Sequence, residues 1–563
     1  GDVAEMELGQ IEAVLRGQRV QRGGYEMKTF AAAAEWRDRQ LNITQCEWTD
    51  QQGEFAARAS WNAETSDADF QVHSSADAKL FLQAFGFGKF LTDASFSNPP
   101  AVEVSGTANF SEAAPHVNVI GRVAAANFSF KTIPLVSLGF DFSWDGARTM
   151  VRDVRVRHQS GELLADLLDA PGDFRLNIEN TINPTSLRPL APPDLQRFLG
   201  EWEWPRSPAI NVQIHGTSRD PDTWLADGTI ALQRTRFRGI WMNQASANVH
   251  FGEGALSFRD LRVKRDEGVG TGAFSYDFKK HEVRVVHVVT TLKPADVIYW
   301  IEPKFHKAVV PYKFRNPPHV TVDGVVQFRG GKNTRLELGV DAPGGMDYVF
   351  VGKTLPFESV RGRLLFTDER LQLFDVDGAI LDGTARGSAD ISLAKGDPKY
   401  TATLNVDGLD FPRLTDLYFD YETARGQLSG NYEFSGIGDD ARTMRGTGKV
   451  KVANGNLFAI PVFGPLSGLI SGIIPGAGYS VAKQATAGFS IADGVIHTED
   501  FTVSGKLFGM LGHGDIHFLD NKLDFDIRIN ATGAGVVLTP MYKLFEYKGE
   551  GSLSKPNWHP KRF

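Results

Sequence analysis

The chain has 563 residues, with 60 basic against 68 acidic side chains and a net charge of −8, both signs scattered along its length. It has no basic stripe of the kind a nucleic-acid binder needs. Its single cysteine, Cys46, excludes an internal disulfide framework or a thiolate metal site and reads as a small packing residue. The longest apolar stretch, Pro461 to Gly478, is broken by five glycines and three prolines and is too short to cross a bilayer. Residue 1 is glycine rather than methionine, so a processed or omitted upstream segment is expected, where any signal peptide or anchor would sit.

In chain order, the first segment, 1–98, offers an apolar strand at Leu41-Asn42-Ile43 and a short helical pattern from Ala76 to Phe85. The next, 99–206, opens on Pro100-Ala101-Val102-Glu103-Val104-Ser105-Gly106 and turns at Asp145-Gly146. It continues through Val151 to Val156, alternates Phe174, Leu176 and Ile178 with Arg175, Asn177 and Glu179, and ends in a helix-like stretch at Asn183-Pro184-Thr185. Segment 207–315 repeats the opening as Pro208-Ala209-Ile210-Asn211-Val212-Gln213-Ile214-His215-Gly216, the strand as Leu256 to Val263, and the helical stretch as Pro294 to Ile301. Segment 316–425 begins Pro318-His319-Val320-Thr321-Val322-Asp323-Gly324 and includes Leu371 to Val376 and the turn Asp382-Gly383. It then alternates Tyr400, Ala402, Leu404 and Val406 with Thr401, Thr403, Asn405 and Asp407, and ends in a helix over Phe411 to Phe419. The last segment, 426–563, carries a fainter opening, Gly426 to Gly430, an apolar insertion at 462–481, the turn Asp493-Gly494, the strand Val495 to Val503 and the strict alternation Leu523 to Asn530.

Gly106, Gly216, Gly324 and Gly430 are 110, 108 and 106 residues apart, so one supersecondary unit is laid down in series. The pattern predicts a mainly β fold: an elongated array of repeating antiparallel β-groove units, one short helix to each, whose units bury apolar surface against their neighbours. Asp-Gly dipeptides between apolar runs favour hairpins, and period-2 alternation gives each strand one apolar and one wet face. Something must cover the apolar face, and the helices are too few and short to do so. A sheet folded on itself as a sandwich, a closed barrel, and a curled trough lined for an apolar guest all satisfy that demand. The 39 Phe against 12 Tyr lean toward a face that meets hydrocarbon, where a hydroxyl has no use. Candidate lining residues are Phe174, Leu176, Ile178, Leu404, Val406, Leu523, Phe525, Ile527 and Ile529. In the insertion, Leu466, Leu469, Ile470, Ile473 and Ile474 share helical spacing and read as a cap or a membrane-contacting tip, stopped by Pro475-Gly476-Ala477-Gly478.

No catalytic constellation is legible. Gly268-Val269-Gly270-Thr271-Gly272 lies between strand patterns with no helix after it, so it reads as a strand with close backbone approach rather than a phosphate loop. His281 with His287, and His513 with His517, lack a third metal ligand at usable spacing. No serine sits in a nucleophile elbow. Asp524 and Asp526 fall on the wet face of their strand. The residues predict no enzyme, no cofactor and no metal.

Four stretches near the C-terminus, Gly448 to Leu457, Ile460 to Leu466, Ala485 to Ile496 and Gly512 to Ile516, with the closing Gly549 to Trp558, resemble the C-terminal region of AsmA-like proteins. The resemblance covers roughly the last 120 residues, and the upstream repeats are compatible with it. It implies a Gram-negative envelope protein of the AsmA/TamB type, tethered to the inner membrane by an N-terminal helix and projecting into the periplasm. Its implied work is bridge-like transfer of phospholipid between inner and outer membranes along a continuous hydrophobic groove, without catalytic residues. The implied partners are phospholipids and the two membranes, with no nucleic acid. The alternative is a non-catalytic scaffold for outer-membrane biogenesis, whose inner face would be packed shut by its own side chains.

Overall fold

A computed structural model describes residues 9–561 apart from 88–90, 112–114, 302, 304–305, 307–311, 328–331, 351–352, 395, 420–424, 439, 457–462, 474–481, 507 and 533–545. The described residues form 35 strands in an open, curled antiparallel sheet, with short helices at Ala78–Ala84, Pro184–Leu187, Pro193–Gly200, Pro294–Ile301, Phe411–Phe419 and Gly464–Ile473. Among the described residues, the strand Gln10–Arg22 pairs only with Tyr25–Arg37, and Lys555–Pro560 only with Glu546–Ser552. The fold is therefore mainly β, as the alternation predicts.

Contacts divide the chain into two compact units, one of residues 1–266 with 273–280 and the other of 267–272 with 281–563. This division is coarser than the five repeats read from the sequence.

In the first unit the repeat is visible in the turns. Two-residue hairpins with both central residues in the left-handed region occur at Gly23-Gly24, Lys131-Thr132 and Arg238-Gly239, the geometry that matches strand twist. The strands behind them, Gln10–Arg22, His116–Phe130 and Leu225–Phe237, occupy equivalent places. Pro100 and Pro208 are both buried just before the paired strands Ala101–Asn109 and Ala209–Gly216. Each ends a loop after a strand whose last amide is tied back to the same neighbour: Ser75 N–H donates to the Glu54 carbonyl at 2.7 Å, and Thr181 N–H to the Glu162 carbonyl at 2.8 Å.

Every repeated apolar strand singled out above lies on or beside a register shift. The shifts fall between Ile43 and Cys46 and between Val151 and Val154 in the first unit, and between Leu373 and Val376 and between Thr498 and Phe501 in the second. A bulge leaves a residue without its ladder partner, and carboxylates satisfy several of the stranded amides. Asp153 N–H donates to Asp166 Oδ1 at 2.9 Å, His287 N–H to Asp323 Oδ1 at 2.8 Å and Gly488 N–H to Asp500 Oδ1 at 2.6 Å.

Turn chemistry departs from expectation once. The hairpin near Asp382-Gly383 is centred on Leu381-Asp382, both with positive φ, and Gly383 already begins the next strand. Asp493-Gly494 turns where predicted. The glycine run at 268–272 leads into the strand Val269–Asp277, where a side chain at Gly268 would strike the Thr291 carbonyl.

Candidate functional site

Directly paired residues compose one unbroken apolar row in the first unit. It runs Leu15, Ala32, Cys46, Ala57, Val72, Val104, Gly121, strand by strand. It continues through Phe142, Val151, Leu167, Leu176, Ile214, Ala226, Phe251 and Leu256. Fifteen strands at about 4.8 Å each place about 65–70 Å of sheet beneath this row. The flanking faces are wet: Arg122 pairs with Asp141 on the opposite side of the sheet, Nε to Oδ1 at 2.6 Å, and this guanidinium holds the Asp141 carboxyl below the usual range.

The two units cover their apolar faces differently. In the first, Val72, Val104, Phe142, Val154, Leu176, Ile178 and Val212 are all half-buried, neither exposed nor sealed. Phe128, Ile133, Phe174, Ile182, Leu232 and Met242 are buried elsewhere in that unit, and one buried cluster there is small: Tyr25, Met27 and Trp48, with Phe30, Cys46, Phe55, Phe81 and Ala84 against it. Its polar centre is complete. Trp48 Nε1 donates to the Tyr25 hydroxyl at 2.9 Å, which donates to Asp50 Oδ2 at 2.9 Å. Burial pushes the Tyr25 phenol well above the usual tyrosine range. Burial also pushes the Asp50 carboxyl up, but the amides of Asp77, Gln52 and Gly53 outweigh it and hold the group below the usual range.

In the second unit a large cluster from Ile380 to Trp558 is sealed by its own side chains. Leu523, Phe525, Ile527 and Ile529 are 1–3% exposed within it. Phe463 stacks on Phe501 with ring centroids 5.2 Å apart, Leu466 is fully buried, and Leu469 packs against the same cluster. The predicted helix over the insertion is present as Gly464–Ile473 and carries Ile470 and Ile473, while Ile474 lies outside the described residues.

The nine candidate lining residues thus fall into two environments. Leu176 and Ile178 lie on the half-covered face of the first unit, with Phe174 buried at the end of their strand under the Trp224 ring, 5.4 Å away and parallel. Leu404 packs against the sealed cluster from outside, and Val406 and the remaining four belong to it.

Sequence reasoning missed the pairing of glycines with aromatic rings across strands. A methyl group on Gly106 would fall 2.7 Å from the Phe70 ring, and one on Gly121 2.6 Å from Phe142. In the second unit Gly448 lies under Phe489 and Gly549 under Trp558. Each ring lies flat over a neighbouring strand because no Cβ lifts it.

Among the described residues, the histidines and carboxylates singled out in the sequence include several held in ion pairs. His287 faces Asp323, Nδ1 to Oδ1 at 3.2 Å, and His513 faces Asp526 at 3.7 Å. Asp524 and Asp526 meet Lys548, and Asp526 also accepts from Lys561 at 2.8 Å. Among the described residues no three His, Cys, Asp or Glu side chains converge as a metal site requires, and no helix is long and apolar enough to cross a membrane. No family model matches the chain, and no curated protein matches it.

Proposed function

We propose that the protein is a lipid carrier of the bacterial envelope, holding phospholipid acyl chains against the apolar face of its sheet while headgroups stay in water. The observation that carries this reading is the unroofed row from Leu15 to Leu256, apolar at all fifteen strands and sealed at few of them. A sheet face of that kind leaves hydrocarbon surface for a guest to cover. A sixteen-carbon chain costs on the order of 13 kcal/mol to expose to water, at about 0.8 kcal/mol per CH₂, and lying along such a row removes much of it. The AsmA-like resemblance of residues 448–558 supports the same reading and supplies its setting: the periplasm, between inner and outer membranes. The self-packed cluster of the second unit favours the scaffold alternative for that part of the chain, since a closed interior holds no lipid.

The test is organic extraction of the purified protein followed by mass spectrometry. Diacyl lipids at several per chain are expected. A lipid-free protein that takes up no fluorescent phospholipid from vesicles would overturn the proposal.

A further inference from the structure

Two short strands occupy equivalent places in the first unit. Ala94–Phe96 pairs with the end of His116–Phe130, Ala94 opposite Phe130 and Phe96 opposite Phe128. Trp202–Glu203 pairs with the end of Leu225–Phe237, Trp202 opposite Phe237. Each lies shortly before a buried proline, Pro100 or Pro208. Trp202 therefore stands where the other repeat has Ala94, Trp204 where it has Phe96, and Thr235 where it has Phe128. Three side chains able to hydrogen-bond take the place of three that are not.

The rings form one stack. Trp202 lies 4.9 Å from Trp204 at 14° and 4.3 Å from Phe237 at 27°, with Phe198 of the helix Pro193–Gly200 edge-on to it at 5.9 Å. Asn183 Nδ2 holds the backbone by donating to the Trp204 carbonyl at 2.9 Å. Thr235 is buried, and its hydroxyl donates to the Gln233 carbonyl at 3.3 Å. Both indole Nε1 atoms are shut off from water, and neither has an acceptor among the described residues. A buried donor left unpaired destabilises a fold, and Ala94 and Phe96 fill the equivalent place without one. The two donors are therefore surplus to the packing of the sheet.

We infer that Trp202 and Trp204 hold the ester carbonyls of an acyl lipid. The inference rests on the lipid carriage proposed above and names the part of the lipid held here. An indole donates and does not accept, so the guest must present acceptors, and the aromatic walls require it to be otherwise apolar. A phosphate or free carboxylate fits less well, because Arg236 and Arg238, either side of Phe237, are committed to Glu203 and Glu201 at 3.2 and 2.7 Å. Ester carbonyls lie where hydrocarbon gives way to headgroup, and the site has that character too. Phe237 directly precedes the turn Arg238-Gly239, while Ile230 on the same strand, about 20 Å back, is on the half-buried apolar face.

The test labels the tryptophans of the full chain with nitrogen-15 and follows their indole N–H signals by NMR, those of Trp202 and Trp204 being the ones lost in Trp202→Phe and Trp204→Phe. The probes are vesicles of a diacyl phosphatidylglycerol and of its dialkyl ether analogue, which lacks the carbonyls, with the loading of each measured by organic extraction. Both indole protons should move downfield on loading with the diacyl lipid and stay in place with the dialkyl lipid. Uptake of both lipids with no ester-specific movement of any indole signal, or with such movement only at other tryptophans, overturns this assignment and leaves lipid carriage standing. Uptake of neither lipid overturns lipid carriage and this inference with it.

Discussion

Placing one carboxylate on each of the two apolar surfaces separates lipid lining from core. Ile527 is 1% exposed inside the sealed cluster of the second unit, so Ile527→Asp both empties a packed site and buries a charge without a partner. Lost packing of an isoleucine costs about 2–5 kcal/mol, and neutralising or hydrating the carboxylate adds to it, so the variant should lose about 4 kcal/mol or more and leave the second unit largely unfolded. Leu176 is half-buried on an unroofed face, where its carboxylate can reach water, and Leu176→Asp should cost about 1 kcal/mol. Its effect falls on the guest instead. A carboxylate there displaces contact with about three methylenes, about 2.4 kcal/mol at 0.8 kcal/mol each, or roughly fiftyfold weaker retention of a lipid lying across that strand. Thermal melts followed by circular dichroism, with displacement of a fluorescent phospholipid, measure both quantities on both proteins. If Leu176→Asp unfolds its unit as Ile527→Asp does, the first face is covered by the protein itself and the lining argument fails.

Tyr25→Phe should destabilise the first unit by about 1–3 kcal/mol, because Trp48 Nε1 and Asp50 Oδ2 both lose their shared partner in a buried site; a denaturant midpoint equal to the parent's would contradict this. Leu466→Ala should cost about 2–5 kcal/mol in the second unit, whereas a purely membrane-contacting segment would lose liposome binding with its melting temperature unmoved. His497 lies between Asp515, 2.6 Å from Nδ1, and Glu499, 2.8 Å from Nε2, and the Asp515 hydrogen bond foremost raises its pKa above the ordinary value of 6.5. A raised folded-state pKa means stability that is full below pH 6.5 and lost as pH climbs through the raised value. Proton NMR should find the elevated pKa, Asp515→Asn should lower it, and His497→Gln should flatten stability across that window; a pKa at or below 6.5 would refute the pairing.

Much of the fold was legible because side-chain direction in a strand has period two, so Leu523 to Asn530 declares its faces without any long-range contact. Pro294–Ile301 and Phe411–Phe419 were readable as helices for a similar local reason. Bulges were not, since an extra residue resets the phase: in Arg370–Ile380 the apolar set passes from Leu371 and Leu373 to Val376. The glycine spacing also misled slightly. Gly216 ends a phrase two residues longer than the one ending in Gly106, and the prolines mark equivalent places better. What covers each apolar face was out of reach, because Ile527 and Leu176 sit in the same local pattern and differ only in what folds over them. The ring over Gly121 was hidden until its hairpin was located: Gly121 and Phe142 stand ten residues either side of Lys131-Thr132.

Those flat rings have a consequence for length. A sheet ordinarily needs a second layer of structure to shield one face, and the interior between layers must grow as the sheet widens. Where Phe142 lies across Gly121 and Phe70 across Gly106, the shielding comes from the adjacent strand and is one ring thick. Each added repeat then brings its own cover with it, and its stability rests on its neighbours rather than on a common interior. Such an array can gain or lose whole repeats with little change in stability per repeat.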